Sequence, residues 1–184
     1  VAPSRGLGDV YKRQDFVFHP VNRLDKGTTG LMVVAKSGYI HDRLRYALHT
    51  ERFCREYRAV CIGCPDPKSG TIDAPIARLN GSLIQRTVDF ASGERSVTHY
   101  RTLAHCSVFS HLELNLETGR THQIRVHMAY IGHPLLGDTL YNKTPGTFPR
   151  QALHSASLSF VHPITGEPLN FHAPLPEDMQ NLLT

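Results

Sequence analysis

The sequence lacks any long apolar run. No stretch approaches the roughly 20 consecutive apolar residues of a membrane-spanning helix, and the basic start lacks the apolar segment of a secretory signal. Internal repeats and low-complexity tracts are absent as well. We therefore expect a cytoplasmic protein with no membrane partner.

Cysteine is scarce, with four residues in the chain, and only Cys61 and Cys64 form a CxxC pair. A structural zinc site needs four ligands, so this pair alone does not indicate one, and we expect reduced thiols. Twelve histidines are present, but His122, His127 and His133 miss the i, i+4 spacing of a zinc protease helix. A histidine-rich metallohydrolase is kept as an alternative, although the histidines do not have the spacing of a metal-ligand set.

What remains is an ordinary globular composition, with 40% hydrophobic and 20% charged residues in 184. A chain of this length buries one core without disulfides or metals. The net charge of +4 favours a polyanionic partner without identifying it.

The apolar pattern predicts an α+β fold. Ser37 is a plausible N-cap for a helix with apolar positions at helical spacing, residues 121–131 predict a second helix, and Pro176 suits the start of a short third one. Strands are predicted at 31–35, 56–62, 97–103, 111–116, 158–160 and 169–171.

Two polar clusters stand out. Residues 22–30 form a loop rich in charge, hydroxyls and glycine directly before a buried strand, and residues 119–127 place arginines, histidines and a glutamine at a helix start. Helix starts favour phosphate or carboxylate because their amides and dipole are positive. Without further evidence, the first cluster also fits a solvated turn and the second an exposed basic face.

Together with the segments at 55–60 and 96–100, these clusters resemble the RluA-type pseudouridine synthase family. The shared motifs are an R-L-D-x-x-T-x-G loop, a K/R-x-Y strand, a G-R-T-H-Q-I-R-V-H stretch and a closing H-P-x-T-G-E-P-L. The resemblance implies the pseudouridine synthase fold: a mixed, largely antiparallel sheet with flanking helices and a central RNA-binding cleft. It also implies isomerisation of uridine in RNA to pseudouridine, with no cofactor and no metal.

The resemblance assigns roles to seven residues. Asp25 matches the catalytic aspartate, Arg125 the arginine that pairs with it, and Tyr57 the active-site tyrosine, although a tyrosine on a strand is also an ordinary half-buried residue. Whether Asp25 attacks the substrate covalently or abstracts a sugar proton is left open. The expected RNA-binding residues are Arg23, which would enter the RNA stack, and Arg120, His122 and Gln123, which would contact the backbone or orient the loop.

The implied partner is ribosomal or transfer RNA, bound by a monomer. We expect residues 15–184 to form the catalytic domain. Residues 1–14 lack the Lys-Pro-x-Gly turn of the family, so we expect an atypical leader that contributes little to the core. The alternative is a non-catalytic module of the same fold that binds and remodels RNA.

Overall fold

The structure, a computed structural model, describes residues 17–48 and 50–183, and the expected leader at 1–14 lies outside them. The helices of this part are α1 (Gly38–Ala47), α2 (Gln123–Tyr130) and α3 (Glu177–Gln180). Its strands are β1 (His19–Pro20), β2 (Thr29–Gly30), β3 (Val34–Ala35), β4 (Phe53–Ile62), β5 (Ser69–Asp73), β6 (Ile76–Arg78), β7 (Arg86–Val88), β8 (Val97–His105), β9 (Phe109–Leu116), β10 (Leu153–Val161) and β11 (Pro168–His172). The α+β prediction is confirmed.

One large sheet carries the fold. Its strands are ordered β11-β10-β4-β9-β8-β5, and every neighbouring pair in this order is antiparallel. β2 adds to the same sheet as a parallel neighbour of β10. Two small ribbons, β1 with β3 and β6 with β7, complete the strand pairing. The sheet is therefore mixed but largely antiparallel, as the resemblance implied.

The predicted continuous strand at 31–35 is wrong. Only β3 is a strand there, and it pairs with β1, whereas β2 pairs with β10. The chain changes partners because Gly30, at φ +103°, lies directly against the backbone of Ser155, where a β-carbon would clash. A residue with a side chain does not fit so close to the Ser155 backbone. Gly30 therefore joins the loop at residues 22–30 to the main sheet.

The helices form where the sequence predicts them. α1 begins after Ser37, whose hydroxyl accepts a hydrogen bond from the Ile40 amide. α2 begins after His122, which has a left-handed backbone conformation at φ 59°. Both helices pack on one face of the sheet: Leu44 of α1 lies in a cluster with Phe53, and Ile124 of α2 lies in a cluster that includes Tyr57.

Residues 53, 55, 57, 59 and 61 of β4 alternate onto that same face. The two ends of this row are covered by the two helices, and its middle, at Arg55 and Tyr57, lies between them. The fold thus leaves the centre of β4 open to the loop at residues 22–30.

No helix within residues 17–48 and 50–183 is long and apolar enough to cross a membrane. All four cysteines are free thiols, and burial raises the pKa of the Cys61 thiol to about 12.

His127 ties α2 to the sheet. Its ring is fully buried, with Nδ1 2.9 Å from Thr98 Oγ1 and Nε2 2.8 Å from the Ala74 carbonyl oxygen. Burial lowers the pKa of His127 below its ordinary value of 6.5, although the bond to Ala74 opposes the shift. Below about pH 6.5 the unfolded chain therefore binds a proton that the folded chain excludes.

We predict that the free energy of unfolding falls as the pH drops from about 6.5 to 5, and that His127→Gln makes this fall shallower by up to about 1.4 kcal/mol per pH unit. Urea denaturation at a series of pH values measures it. His172→Gln, a change at an exposed ring, is the control and should leave the slope unchanged. A His127→Gln protein with the parent's pH dependence would contradict the prediction.

Candidate active site

A cleft of about 570 Å³ opens between α1 and α2 above β4. Asp25 is the only carboxylate among the described residues that line it. Four arginines line the same space: Arg23, Arg45, Arg55 and Arg120. The cleft is therefore a basic chamber with one acid, suited to a polyanionic ligand.

The loop that carries Asp25 is a tight turn held by hydrogen bonds from Arg150 and Gln151. The Thr28 amide donates to the Asp25 carbonyl oxygen at 2.9 Å, and Gly27 supplies the positive φ of 88° that this turn requires. Gln151 Nε2 donates to Thr28 Oγ1 at 3.1 Å, and Arg150 Nη1 donates to the Gly27 carbonyl oxygen at 3.2 Å. These contacts hold the loop against the segment that leads into β10.

Arg125 links Asp25 to a second, deeper acid. Its Nη1 lies 3.5 Å from Asp25 Oδ2, while its Nε and Nη2 donate to the two oxygens of Asp138 at 2.7 and 2.8 Å. The guanidinium also lies over the Tyr141 ring, 5.1 Å from its centre. The structure thus brings the predicted pair together, but the tighter, bidentate partner of Arg125 is Asp138.

The three charges sit in different surroundings. The side chain of Asp138 is fully buried and that of Arg125 is 6% exposed, whereas Asp25 keeps 23% of its side-chain surface. Burial alone would lower the pKa of Arg125, but Asp138 and then Asp25 raise it above its ordinary value. Arg125 therefore stays a cation, and Asp25 keeps an accessible face toward the cleft.

Tyr57 lies in the cleft wall on the inward face of β4. Burial raises the pKa of its phenol; the charge of Arg55 opposes this shift and that of Asp25 reinforces it. The group is therefore a neutral phenol at neutral pH, able to donate a proton or a hydrogen bond.

His122 lines the cleft beside Asp25. Its Nδ1 lies 2.8 Å from the Tyr141 hydroxyl, and that hydroxyl accepts a hydrogen bond from the Arg86 amide. Burial lowers the pKa of His122 and Asp25 opposes the shift. The Tyr141 hydroxyl can therefore donate to Nδ1 of a neutral ring, which leaves the Nε2 proton free for a ligand.

The other predicted RNA-binding residues occupy different positions. Arg23 is exposed and has no hydrogen bond or ion pair within the described ranges. Arg120 forms an ion pair with Glu94. Gln123 is buried, and its amide bonds to Thr118, the Arg120 amide and two groups of β8. Because these bonds use both ends of the amide, Gln123 suits the orienting role better than contact with RNA.

Sequence reasoning missed Asp138, Tyr141, Arg150 and Gln151. Their contacts with the two polar clusters span 13 to 125 positions along the chain. Asp138 follows Gly137, and such a pair is also typical of an ordinary turn. No local pattern distinguishes these residues from loop residues without a role.

Most of the chain matches a family of known proteins. Residues 6–130 match the family described as RNA pseudouridylate synthase. The chain belongs to that family. The resemblance noted in the sequence is therefore confirmed, including its RluA type.

The relatives agree with this assignment. The chain is 50% identical to "Uncharacterized RNA pseudouridine synthase YjbO" of Bacillus subtilis, over 98% of this chain and 64% of that protein. It is 50% and 46% identical to "Ribosomal large subunit pseudouridine synthase D" of Vibrio cholerae and Escherichia coli K12, over 97% and 89% of this chain. It spans 62% and 54% of those two proteins, so it corresponds to less than two thirds of each relative.

Solved structures show the same pseudouridine synthase fold. "Human RNA Pseudouridylate Synthase Domain Containing 4" superposes with a TM-score of 0.75 at 25% identity, over 90% of this chain and 74% of that one. "Human RNA Pseudouridylate Synthase Domain Containing 1" gives 0.73 at 26% identity, over 86% and 69%.

The buried ion pair yields a stability prediction for this family member. Arg125→Met leaves the Asp138 carboxylate buried and unpaired, which should cost about 3–5 kcal/mol of unfolding free energy. Adding Asp138→Asn should recover part of this loss, because the stranded charge is gone. Adding Asp25→Asn instead should recover little, since Asp25 reaches solvent.

Urea denaturation of the two double variants beside Arg125→Met measures the difference. Arg95→Met is the control: it breaks an exposed pair with Glu117, for which a loss of at most about 1 kcal/mol is expected. Equal recovery from Asp25→Asn and Asp138→Asn would show that Asp138 is not the principal partner.

Proposed function

We propose that this protein isomerises specific uridines in RNA to pseudouridine and that Asp25 is its essential group. The observation that supports this most directly is the cleft itself: one accessible carboxylate, held 3.5 Å from a buried arginine, in a chamber whose other lining charges are basic. The family membership and the names of the relatives point to the same reaction.

The reaction sets clear demands on the site. The N1–C1′ bond breaks, the uracil turns, and a C5–C1′ bond forms; C5 gives up a proton and N1 gains one, so atoms and electrons balance. The detached base must stay beside the ribose throughout. A walled cleft supplies this by holding the two fragments at high effective concentration.

Each site group has a role in that sequence. Asp25 starts the reaction by adding to the substrate as a nucleophile or by removing a sugar proton; both routes need an ionised, accessible carboxylate. Arg125 orients Asp25 through the contact between Nη1 and Oδ2. Tyr57 offers its ring to the uracil, and its neutral phenol can carry a proton.

A hydrolytic reaction fits the cleft less well. Glycosidases usually employ two carboxyl groups, one of which activates water. Asp25 has no acidic companion in the described cleft lining. An isomerase must keep water from the intermediate and needs only one carboxyl group.

Access to the uridine requires the nucleotide to leave its stack, because the reacting atoms lie within the base-paired or stacked RNA. Arg23 is exposed at the mouth of the cleft, two residues before Asp25, and can fill the space that the base vacates. Arg120 and His122 also line the cleft, and in this proposal they contact the RNA backbone.

The relatives named for the ribosomal large subunit favour large-subunit ribosomal RNA over transfer RNA as the substrate. We place the reaction in the cytoplasm. We also infer that the protein acts as a monomer, because all the groups assigned to the reaction come from one chain.

We predict that Asp25→Asn abolishes pseudouridine formation and leaves RNA affinity within about three-fold of the parent, since affinity rests mainly on phosphate contacts. Tritium release from large-subunit ribosomal RNA transcribed with 5-³H-uridine measures the reaction, and filter binding measures the affinity. Asp66→Asn, the same change at an exposed loop position, is the matched control and should retain both.

A fully active Asp25→Asn protein would refute the role of Asp25. A parent that binds the transcript but releases no tritium would favour the alternative, a non-catalytic module that binds and remodels RNA.

A further inference from the structure

Arg55 is a buried cation in the cleft wall that the reaction described above does not use. It precedes Tyr57 by two residues on β4, so both side chains face the cleft. The residue is only 4% exposed. Its Nη2 donates to the Thr118 carbonyl oxygen at 3.2 Å, and its Nε has no partner.

No carboxylate compensates this charge within the described chain. The other buried arginine, Arg125, has Asp138 and Asp25, and the neighbouring Arg58 on β4 pairs with Glu56 and Glu113. Arg55 has no ion pair of this kind. Burial accordingly lowers the pKa of its guanidinium, but an arginine so shifted remains charged at neutral pH.

Gly119 allows the loop before α2 to close over this guanidinium. A β-carbon at that position would come within 2.5 Å of Arg55 Nη1. Gly119, Arg120 and Thr121 line the same side of the cleft, at the N-terminal end of α2. Apart from the Thr118 carbonyl oxygen, the groups placed beside Arg55 are thus the positive end of α2 and a basic side chain, and no described carboxylate balances the charge.

We propose that Arg55 binds a backbone phosphate of the RNA, the one adjoining the nucleotide whose base rests on Tyr57. This inference rests on the proposed function. A phosphate is favoured over a uracil carbonyl because it supplies the missing negative charge as well as acceptors for a guanidinium fork. The two-residue step from Arg55 to Tyr57 spans about 7 Å along the strand, which separates a phosphate contact from a base contact.

The direct test observes the guanidinium by NMR. The Nε–H signal of Arg55 in ¹⁵N-labelled protein is identified by its disappearance in Arg55→Lys. We expect a saturable shift of this signal with uridine 5′- or 3′-monophosphate and with inorganic phosphate, and none with uridine. No shift with any phosphate, or an equal shift with uridine, would overturn the proposal.

RNA binding provides the second test. Removing one protein–phosphate interaction reduces the slope of log K against log salt concentration by roughly 0.7–1. We expect this reduction for Arg55→Met and a clearly smaller one for Arg52→Met, an exposed arginine outside the cleft lining. Arg55→Lys keeps the charge and should keep the slope, which preserves the comparison if Arg55→Met folds poorly. If Arg55→Met has the same slope of log K against log salt concentration as the parent, the proposal is contradicted.

The two proposals fail separately. If the parent releases no tritium but the Arg55 signal shifts with phosphate, the reaction is refuted and the phosphate site stands. If the parent is active and the signal does not respond, the phosphate site is refuted alone.

Discussion

The site depends on the buried ion pair between Arg125 and Asp138. Two hydrogen bonds of 2.7 and 2.8 Å fix the guanidinium plane, and the Tyr141 ring supports it from one side. The remaining guanidinium nitrogen, Nη1, is thereby directed toward Asp25 and lies 3.5 Å from its Oδ2. A long, flexible side chain becomes a rigid support, so the position of the Asp25 carboxylate is set by Arg125 and Asp138, neither of which lines the cleft.

The sheet and its helices form the cleft beside which this ion pair lies. α1 and α2 cover the two ends of the inward row of β4 and leave its centre uncovered, and the Asp25 loop lies over that opening. Arg150 and Gln151 anchor the loop to the segment before β10. The outcome is a basic cleft with Tyr57 in its wall and Asp25 as the single acid among the described lining residues, which is the arrangement that the proposed reaction needs.

Much of this arrangement could be predicted from the sequence, for identifiable reasons. Helical spacing and the Ser37 cap located α1, and the family motifs pointed to Asp25, Tyr57 and Arg125. The strand patterns located most of β4, β8, β9 and β11, but only the end of β10, and β5, β6 and β7 were not predicted. Prediction failed where tertiary contacts decide. The strand at 31–35 is divided because Gly30 lies against Ser155. Asp138 was missed because it contacts the cluster at 119–127 only after the intervening loop folds back. Arg55 was part of a recognised motif, but only the structure shows that its Nε lacks a hydrogen-bond partner and that no described carboxylate pairs with it.

The most direct test of the dependence of Asp25 on the Arg125–Asp138 pair is the single-turnover rate of Asp138→Asn at saturating protein on the RNA that the parent modifies. Asp138 does not line the cleft, so RNA affinity should stay near that of the parent. We predict a rate at least about tenfold lower, because loss of the charged, bidentate partner loosens Arg125 and with it Asp25. A folded Asp138→Asn protein that reacts at the parent's rate would show that Asp25 is positioned without the buried pair.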